Sequence, residues 1–391
     1  MECLQNRRDK IVVAAVFFIA FFLGIETGGL QYSVLKMAEE FHLTSAQMGS
    51  IVSVYFFATM LSPIFTGALS DKIGKKKIII AAIAAFLIGC LISSSANTMK
   101  VLYTGIFVVG MSFSAIESSA TAALSDYHPE KSGKFISIMQ SIFSAGCFVA
   151  PVVLYFLMDD MCFDWRVLFY LCMLLAIISL IFVLIANFKK NVTATIENEH
   201  GSKSAGIRTE AYLIVMVLCI SIYQFTENGI TFFADLFISV EMGDPDAAAL
   251  AISLFWVAMA ISRFVTGFLY KYENFIIKSG FVFTAVLLMI LSFADNVTVS
   301  LGIYLALGIV CGPIWPLITG KVNREYKEHT GLVTGMVLIA GGIGGTVSPY
   351  VIGSINDLSN MAVAFISLAV FAVTGMIVFT MIQARKRRHI R

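Results

Sequence analysis

Charged residues are scarce. Asp, Glu, Lys and Arg make up 13% of the 391 residues, about half the share found in a soluble domain. Scarcity on that scale excludes a soluble globular enzyme, a nucleic-acid-binding module and a disordered chain. The seven cysteines (Cys3, Cys90, Cys147, Cys162, Cys172, Cys219, Cys311) are scattered, with no Cys-x-x-Cys and no metal spacing, so they read as small apolar residues. His42, His128, His200, His329 and His389 fall in loops or tails, and no nucleophile, base and acid converge. Gly341-Gly342-Ile343-Gly344-Gly345 has no Lys-Ser/Thr after it and lies inside an apolar run. It reads as a helix-packing stretch, not a phosphate loop. The first apolar run, Ile11 to about Ser33, is too long for a signal-peptide core and lacks a small-residue cleavage site. An enzyme is therefore not expected, nor a cofactor or metal.

Hydrophobic residues make up 58% of the chain and come in long runs. A membrane span needs about 20 apolar residues. Twelve candidates appear, at roughly 11–33, 47–69, 76–95, 100–122, 134–157, 165–187, 210–238, 247–270, 275–294, 298–320, 331–355 and 361–382. The expected fold class is an all-α polytopic membrane protein. Connections are short except 188–209, a polar stretch with Lys189, Lys190, Glu197, Glu199 and Lys203. It reads as a cytoplasmic linker between a six-helix bundle over 1–187 and another over 210–391. With the N-terminus inside, 23 Lys and Arg fall in inside segments and three, Lys36, Lys100 and Arg166, outside. That asymmetry predicts both termini in the cytoplasm and supports the span count, since one wrong span would invert every later loop.

The two halves resemble each other. At a shift of 200, Ala58 meets Ala258, Ser62 meets Ser262, Thr66 meets Thr266, Gly67 meets Gly267 and Gly29 meets Gly229. Glu26 and Glu227 fall one residue apart. At a shift of 198, Gly133 meets Gly331, Gly146 meets Gly344 and Pro151 meets Pro349. Parallel repeats of six spans imply a pseudo-two-fold axis along the membrane normal and two bundles rocking about a site near the midplane.

The segment Gly67-Ala-Leu-Ser-Asp71-Lys-Ile-Gly74-Lys75-Lys-Lys77 resembles the G-x-L-x-D-x-x-G-[RK]-[RK] signature of the major facilitator superfamily, which joins its second and third spans. The resemblance covers the whole chain through the spans, the linker and the repeat. It implies a gating motif in which Gly67 allows close helix approach, Gly74 the turn, and Asp71 and Lys75 contacts at the cytoplasmic rim. The second copy, from Gly267, lacks the aspartate. Glu26, Glu117, Trp256, Arg263 and Gly312-Pro313-Ile314-Trp315-Pro316 further resemble the fucose/glucose proton-symporter branch, where the two acids would serve sugar binding and proton coupling. Here Ser118, Ser119 and Thr121 follow Glu117, where that branch carries an Asn.

Four in-span charges stand out, Glu26, Glu117, Glu227 and Arg263, because each costs about 2.5–3.5 kcal/mol to insert. Each is expected to be paired, protonated or facing a cavity. Glu117 reads as a proton-coupling carboxylate or as a static ion-pair partner of Arg263. Glu26, beside Thr27, Gly28, Gly29 and Gln31, reads as substrate-binding, with proton coupling or capping of a helix break as alternatives. Gln224, Glu227 and Asn228 form a polar patch in the seventh span suited to hydroxyls or amines. Arg263 reads as the partner of an interior glutamate or as an anion clamp. Trp256, Trp315 and Tyr32 can stack on a substrate or simply pack, and Gln140 is expected to face inward.

The leading expectation is a proton-coupled importer of a small polar solute, a sugar first. A proton-driven exporter of drugs or metabolites is the alternative. The fifth span, where Gly146 is followed by proline only at Pro151, lacks the Gly-Pro ending usual in such antiporters. The expected partners are the substrate, protons and the lipid of a plasma membrane, with no nucleic acid and a monomeric chain.

Overall fold

The structure is a computed structural model and describes residues 2–127, 132–186, 188, 211–266, 269, 272–326 and 330–390. Among them lie thirteen α-helices: α1 (Glu2–Glu40), α2 (Ser45–Ile73), α3 (Lys75–Ser94), α4 (Met99–Tyr127), α5 (Ser132–Tyr155), α6 (Val167–Ile185), α7 (Ala211–Phe232), α8 (Pro245–Thr266), α9 (Glu273–Leu291), α10 (Val297–Cys311), α11 (Ile314–Glu325), α12 (Thr330–Leu358) and α13 (Met361–Ile390). Eleven stretches among the described residues are long and apolar enough to cross a membrane. The expected second span is α2, a 29-residue helix in which several residues, Gly67 and Asp71 among them, have side chains outside the described set. The linker expected at 188–209 lies outside the described residues apart from Phe188.

The structure changes three expected boundaries. The tenth span is two helices, α10 and α11, because Pro313 has no N–H to continue the ladder and begins α11 as its N-cap. The seventh helix ends at Phe232, and the chain continues as a π turn over Leu236–Glu241. The first helix extends beyond the apolar run on both sides, over 39 residues. Elsewhere side-chain caps mark the starts. Asn296 accepts from Val299 N at 3.1 Å before α10, and Asp244 from Ala247 N at 3.1 Å before α8.

Lipid gives helices no hydrophobic reason to associate, so close backbone approach must hold them. A Cβ on Gly24 of α1 would stand 2.1 Å from Phe143 O, and one on Gly146 of α5 would stand 2.3 Å from Phe21 O. In the other half, a Cβ on Gly344 of α12 would overlap Ser221 O of α7. One on Gly110 of α4 would crowd Tyr55 O of α2, and one on Gly308 of α10 would overlap Phe255 O of α8. Thr66 and Thr266 each donate back to the serine one turn earlier, Ser62 and Ser262. The sequence repeat is thus a repeat of contacts.

Helices α1–α6 pack among themselves, as do α7–α13, and the halves meet along α2–α12 and α5–α8. The end of the bundle away from the chain termini, the far end, is closed. Asp357 of α12 accepts from Ser45 N at 2.7 Å and Ala46 N at 2.8 Å, holding the N-terminus of α2. Tyr155 donates to Asp246 at 2.8 Å across α5–α8. At this end of the first half, Arg166 forms a two-pronged pair with Glu40 at 2.8 and 2.9 Å and donates to Ala96 O at 2.7 Å.

The terminal-end turn between α2 and α3 runs through Gly74 at φ 96°, ψ 137°, a conformation that favours glycine. Lys75 Nζ donates to Ala122 O at 3.2 Å, and Lys76 Nζ to Leu184 O and Ala186 O at 2.9 and 2.7 Å. The lysines therefore tie this turn to the ends of α4 and α6.

Gly146→Leu is expected to lower the melting temperature of the solubilised protein by at least several degrees, since a close backbone contact cannot take the added atoms; overpacking costs about 1–3 kcal/mol or more. Gly302→Ala, where a Cβ meets nothing within 4 Å, is expected to melt with the native protein.

Candidate substrate and proton site

Midway along the helices, α1, α2, α4, α5, α7, α8 and α11 bring acids, amides and aromatic rings together. Glu26 of α1 is 3% exposed. Tyr55 OH of α2 donates to its Oε2 at 2.8 Å, and Thr27 Oγ1 lies at 3.4 Å. Among the described residues no cation lies within ion-pair distance of Glu26. Gln31, one helical turn further along α1, is the junction between the halves. Its Oε1 accepts from Trp256 Nε1 of α8 at 2.7 Å, and its Nε2 donates to Thr231 Oγ1 of α7 at 3.2 Å. All three are buried, so a buried amide finds both partners on the opposite half.

Glu227 of α7 is 5% exposed, and Arg263 Nη2 of α8 stands 4.0 Å from its Oε1. Arg263 is held twice more, by Nε to Gly312 O at 3.2 Å and by Nη1 to Ser144 Oγ at 3.4 Å. Gly312 lies in the break between α10 and α11, where a carbonyl is released from the helical ladder. Arg263 pairs with Glu227 and not with Glu117, which corrects the static pair considered for Glu117. Glu117 of α4 instead faces Gln140 of α5 at 3.5 Å, a long contact for a charged acceptor.

Asn228 Nδ2 donates to Gln224 O at 2.9 Å, within its own helix. Gln224 is half-buried, and Trp315 of α11 lies over Gly341 of α12, where a Cβ would stand 2.7 Å from its ring. The space left by Gly341 is what admits the indole. Lys75 and Gly74 lie at the terminal end, away from this cluster.

Aromatic rings close around the acids. Tyr55 meets Phe56 and Phe113 edge-on at 5.4 and 5.8 Å, and Phe113 meets Phe143 at 6.4 Å. Ring contacts cross between the halves, among them Phe143 with Trp256 at 6.1 Å and Phe56 with Phe232 at 5.9 Å. Sequence reasoning missed Tyr55, Ser144 and Thr231, and it missed these phenylalanines. The hydroxyls carry one signal: Thr231 follows Glu227 by four residues, on the same helix face.

The family model for the Major Facilitator Superfamily matches residues 16–349 and 216–391. The chain belongs to the major facilitator superfamily. It is a multi-pass membrane protein of a transporter family, and the fold is that of the family. The crystal structure of the human organic anion transporter MFSD10 (TETRAN) superposes with a TM-score of 0.72 at 14% identity, over 95% of this chain and 99% of that one. The Quinolone resistance protein NorA of Staphylococcus aureus (strain MRSA252) is 23% identical over 382 residues, 96% of each chain. The Niacin transporter NiaP of Acinetobacter baylyi is 27% identical over 149 residues, 38% of this chain and 34% of that one. The narrower resemblance to the fucose/glucose symporters draws no support from these relatives, and the full-length likeness to NorA favours the alternative over the sugar.

Gln31→Leu is expected to remove the acceptor from Trp256 and shift tryptophan emission to shorter wavelength. The shift should be absent when Trp256 is already Phe; an unchanged spectrum in the single variant would place the indole N–H elsewhere.

Proposed function

We propose that this transporter is a proton-driven exporter of small amphipathic molecules carrying a cationic group on an aromatic or apolar body. The observation that carries this reading is the buried carboxylate Glu26, bonded only by hydroxyls and set among rings contributed by both halves. A carboxylate in apolar surroundings with no cation beside it attracts one from outside, whether a proton or a charged substrate. Aromatic edges and faces add stacking and cation–π attraction without demanding one shape. A hexose would call for several fixed hydrogen-bond partners. Here two of the amides are already spent, Gln31 on Trp256 and Thr231, and Asn228 on its own helix. The likeness to NorA along the whole chain supports export.

In this reading Glu26 receives the substrate cation, and the ring series Tyr55, Phe56, Phe113, Phe143 and Trp256 offers its apolar body a surface. Glu227 and Glu117 carry the proton. When Glu227 is protonated it no longer attracts Arg263, so the charge state of one side chain alters the contact between α7, α8 and α5. The chain lies in the cytoplasmic membrane as a monomer, with both termini inside. Two six-helix halves, 1–187 and 210–391, are joined by a linker over 188–209. The contacts that close the far end support loading from the cytoplasmic side.

The test is transport in proteoliposomes under an imposed proton gradient. Gradient-driven expulsion of a cationic dye, abolished by a protonophore, is the expected result. Glu26→Gln should weaken the apparent affinity for the dye at least about tenfold, while Glu227→Gln should remove the response to the gradient and leave dye binding. Protonophore-sensitive accumulation of a labelled sugar with no dye movement would overturn the export reading.

A further inference from the structure

The far end of α7 carries an acid that the transport cycle above does not use. Asp235 stands three residues beyond Phe232, just before the π turn Leu236–Glu241. It is 3% exposed. Ser239 Oγ donates to its Oδ1 at 2.5 Å. Its Oδ2 is buried and has no hydrogen-bond partner among the described residues.

The surrounding groups offer it little. From α1 it faces Tyr32, Lys36 and Glu39, and from the π turn after α5 it faces Asp159. Lys36 Nζ is engaged by Asp159 Oδ1 at 2.7 Å, and Tyr32 OH donates to Asp159 Oδ2 at 2.6 Å. Helix α8 packs on the turn and carries Asp246 in its first turn, itself held by Tyr155. Asp159 thus takes both donors, and Asp235 is left with one hydroxyl and two neighbouring acids. A charge sealed in such a place, with an oxygen unpaired, is strongly disfavoured. Burial pushes the Asp235 carboxyl up to about 7.

Asp235 also sits at a seam between the two halves. It lies between the far ends of α1 and α7, one from each half. Glu227, Thr231 and Asp235 recur every four residues along one face of the helix, and Thr231 is held by Gln31 of α1. Parting α1 from α7 breaks that bond and admits water to Oδ2.

We propose that Asp235 is a proton-operated latch on the far gate. It takes a proton from the far-side solution as α1 and α7 close over it, and returns that proton to the same solution when they part. The proton is not carried across. The sign follows from the environment: the closed gate holds the raised carboxyl neutral, and the open gate lets water return it to the ordinary carboxylate range. Closure is therefore favoured at low far-side pH, and the contribution is lost as pH rises through about 7. An exporter gains a reset from this, since far-side acid shuts the gate after the cargo has left.

The inference rests on the transporter reading only in that the far gate opens; the test contains no substrate, so a wrong cargo or direction leaves it standing. Spin labels at Lys100 and Val299, exposed at the far ends of α4 and α10, report the separation of the halves in full-length protein in lipid nanodiscs. The native cysteines are replaced for the measurement. The separation is expected to increase as pH rises from about 4 to about 7, with half-opening inside that range, and to change little above it. Asp235→Asn, a neutral mimic, should stay at the closed distance throughout, and Asp235→Glu should restore a pH-dependent transition. Ser239→Ala removes the one bond that favours the charged form within the closed gate, so it should move half-opening to lower pH. A native separation indifferent to pH overturns the proposal. So does an Asp235→Asn protein that opens at the native midpoint, or a transition that disappears in Glu227→Gln and survives in Asp235→Asn.

Discussion

Water cannot compensate a buried charge in the middle of a bilayer, so the partners of each interior carboxylate define what that carboxylate does. The three acids in the core have three kinds of surroundings. Glu26 has hydroxyls only, Glu227 faces a guanidinium at 4.0 Å, and Glu117 has an amide at 3.5 Å. None has the short, fully bonded pairing of Arg166 with Glu40 at the far end. That contrast divides the molecule. Fully satisfied pairs sit at the rim and hold helices in place, and under-satisfied carboxylates sit in the core, where a proton or a ligand completes them.

Rigidity and movement are likewise separated. Within each half, glycines bring backbones into contact at matched positions, and such contacts have no slack. Between the halves, backbones also approach closely at the far end, where Gly49 of α2 lies against Pro349 of α12 and Gly353 of α12 against Ser45 of α2; nearer the core the contacts are single hydrogen bonds and ring edges, Gln31 with Trp256 and Thr231, and Phe143 with Trp256. These can be broken in sequence at modest cost each. Two stiff bundles that touch closely at the far end and through polar and aromatic contacts in the core suit rocking about a central site.

Much of this was legible in the sequence. Apolar runs and their flanking lysines located the spans, and the spacing of Gly146 against Gly344 anticipated equivalent packing points on α5 and α12. The interior charges pointed to the core, because lipid leaves few reasons to keep them. What stayed hidden depends on partners distant in sequence. Nothing near Arg263 announces that it meets Glu227 and not Glu117. Tyr55 reads as one more aromatic until α2 is laid against α1. Asp235 sits in a stretch that reads as continuous helix, and only the π turn and the approach of α1 show how deeply it is sealed. The break in the tenth span carried its signal in Gly312-Pro313, but composition alone read through it.

That break has a bearing on Arg263. Because Nε holds Gly312 O while the outer nitrogens face Glu227 and Ser144, neutralising Glu227 does not set the side chain loose. The guanidinium keeps its anchor on the main chain and swings about it, like a hand on a hinge post. Its charge is then offered to whatever lies on the α5 side, within a radius fixed by the helix break, so the arginine redistributes positive charge between the halves without leaving its place.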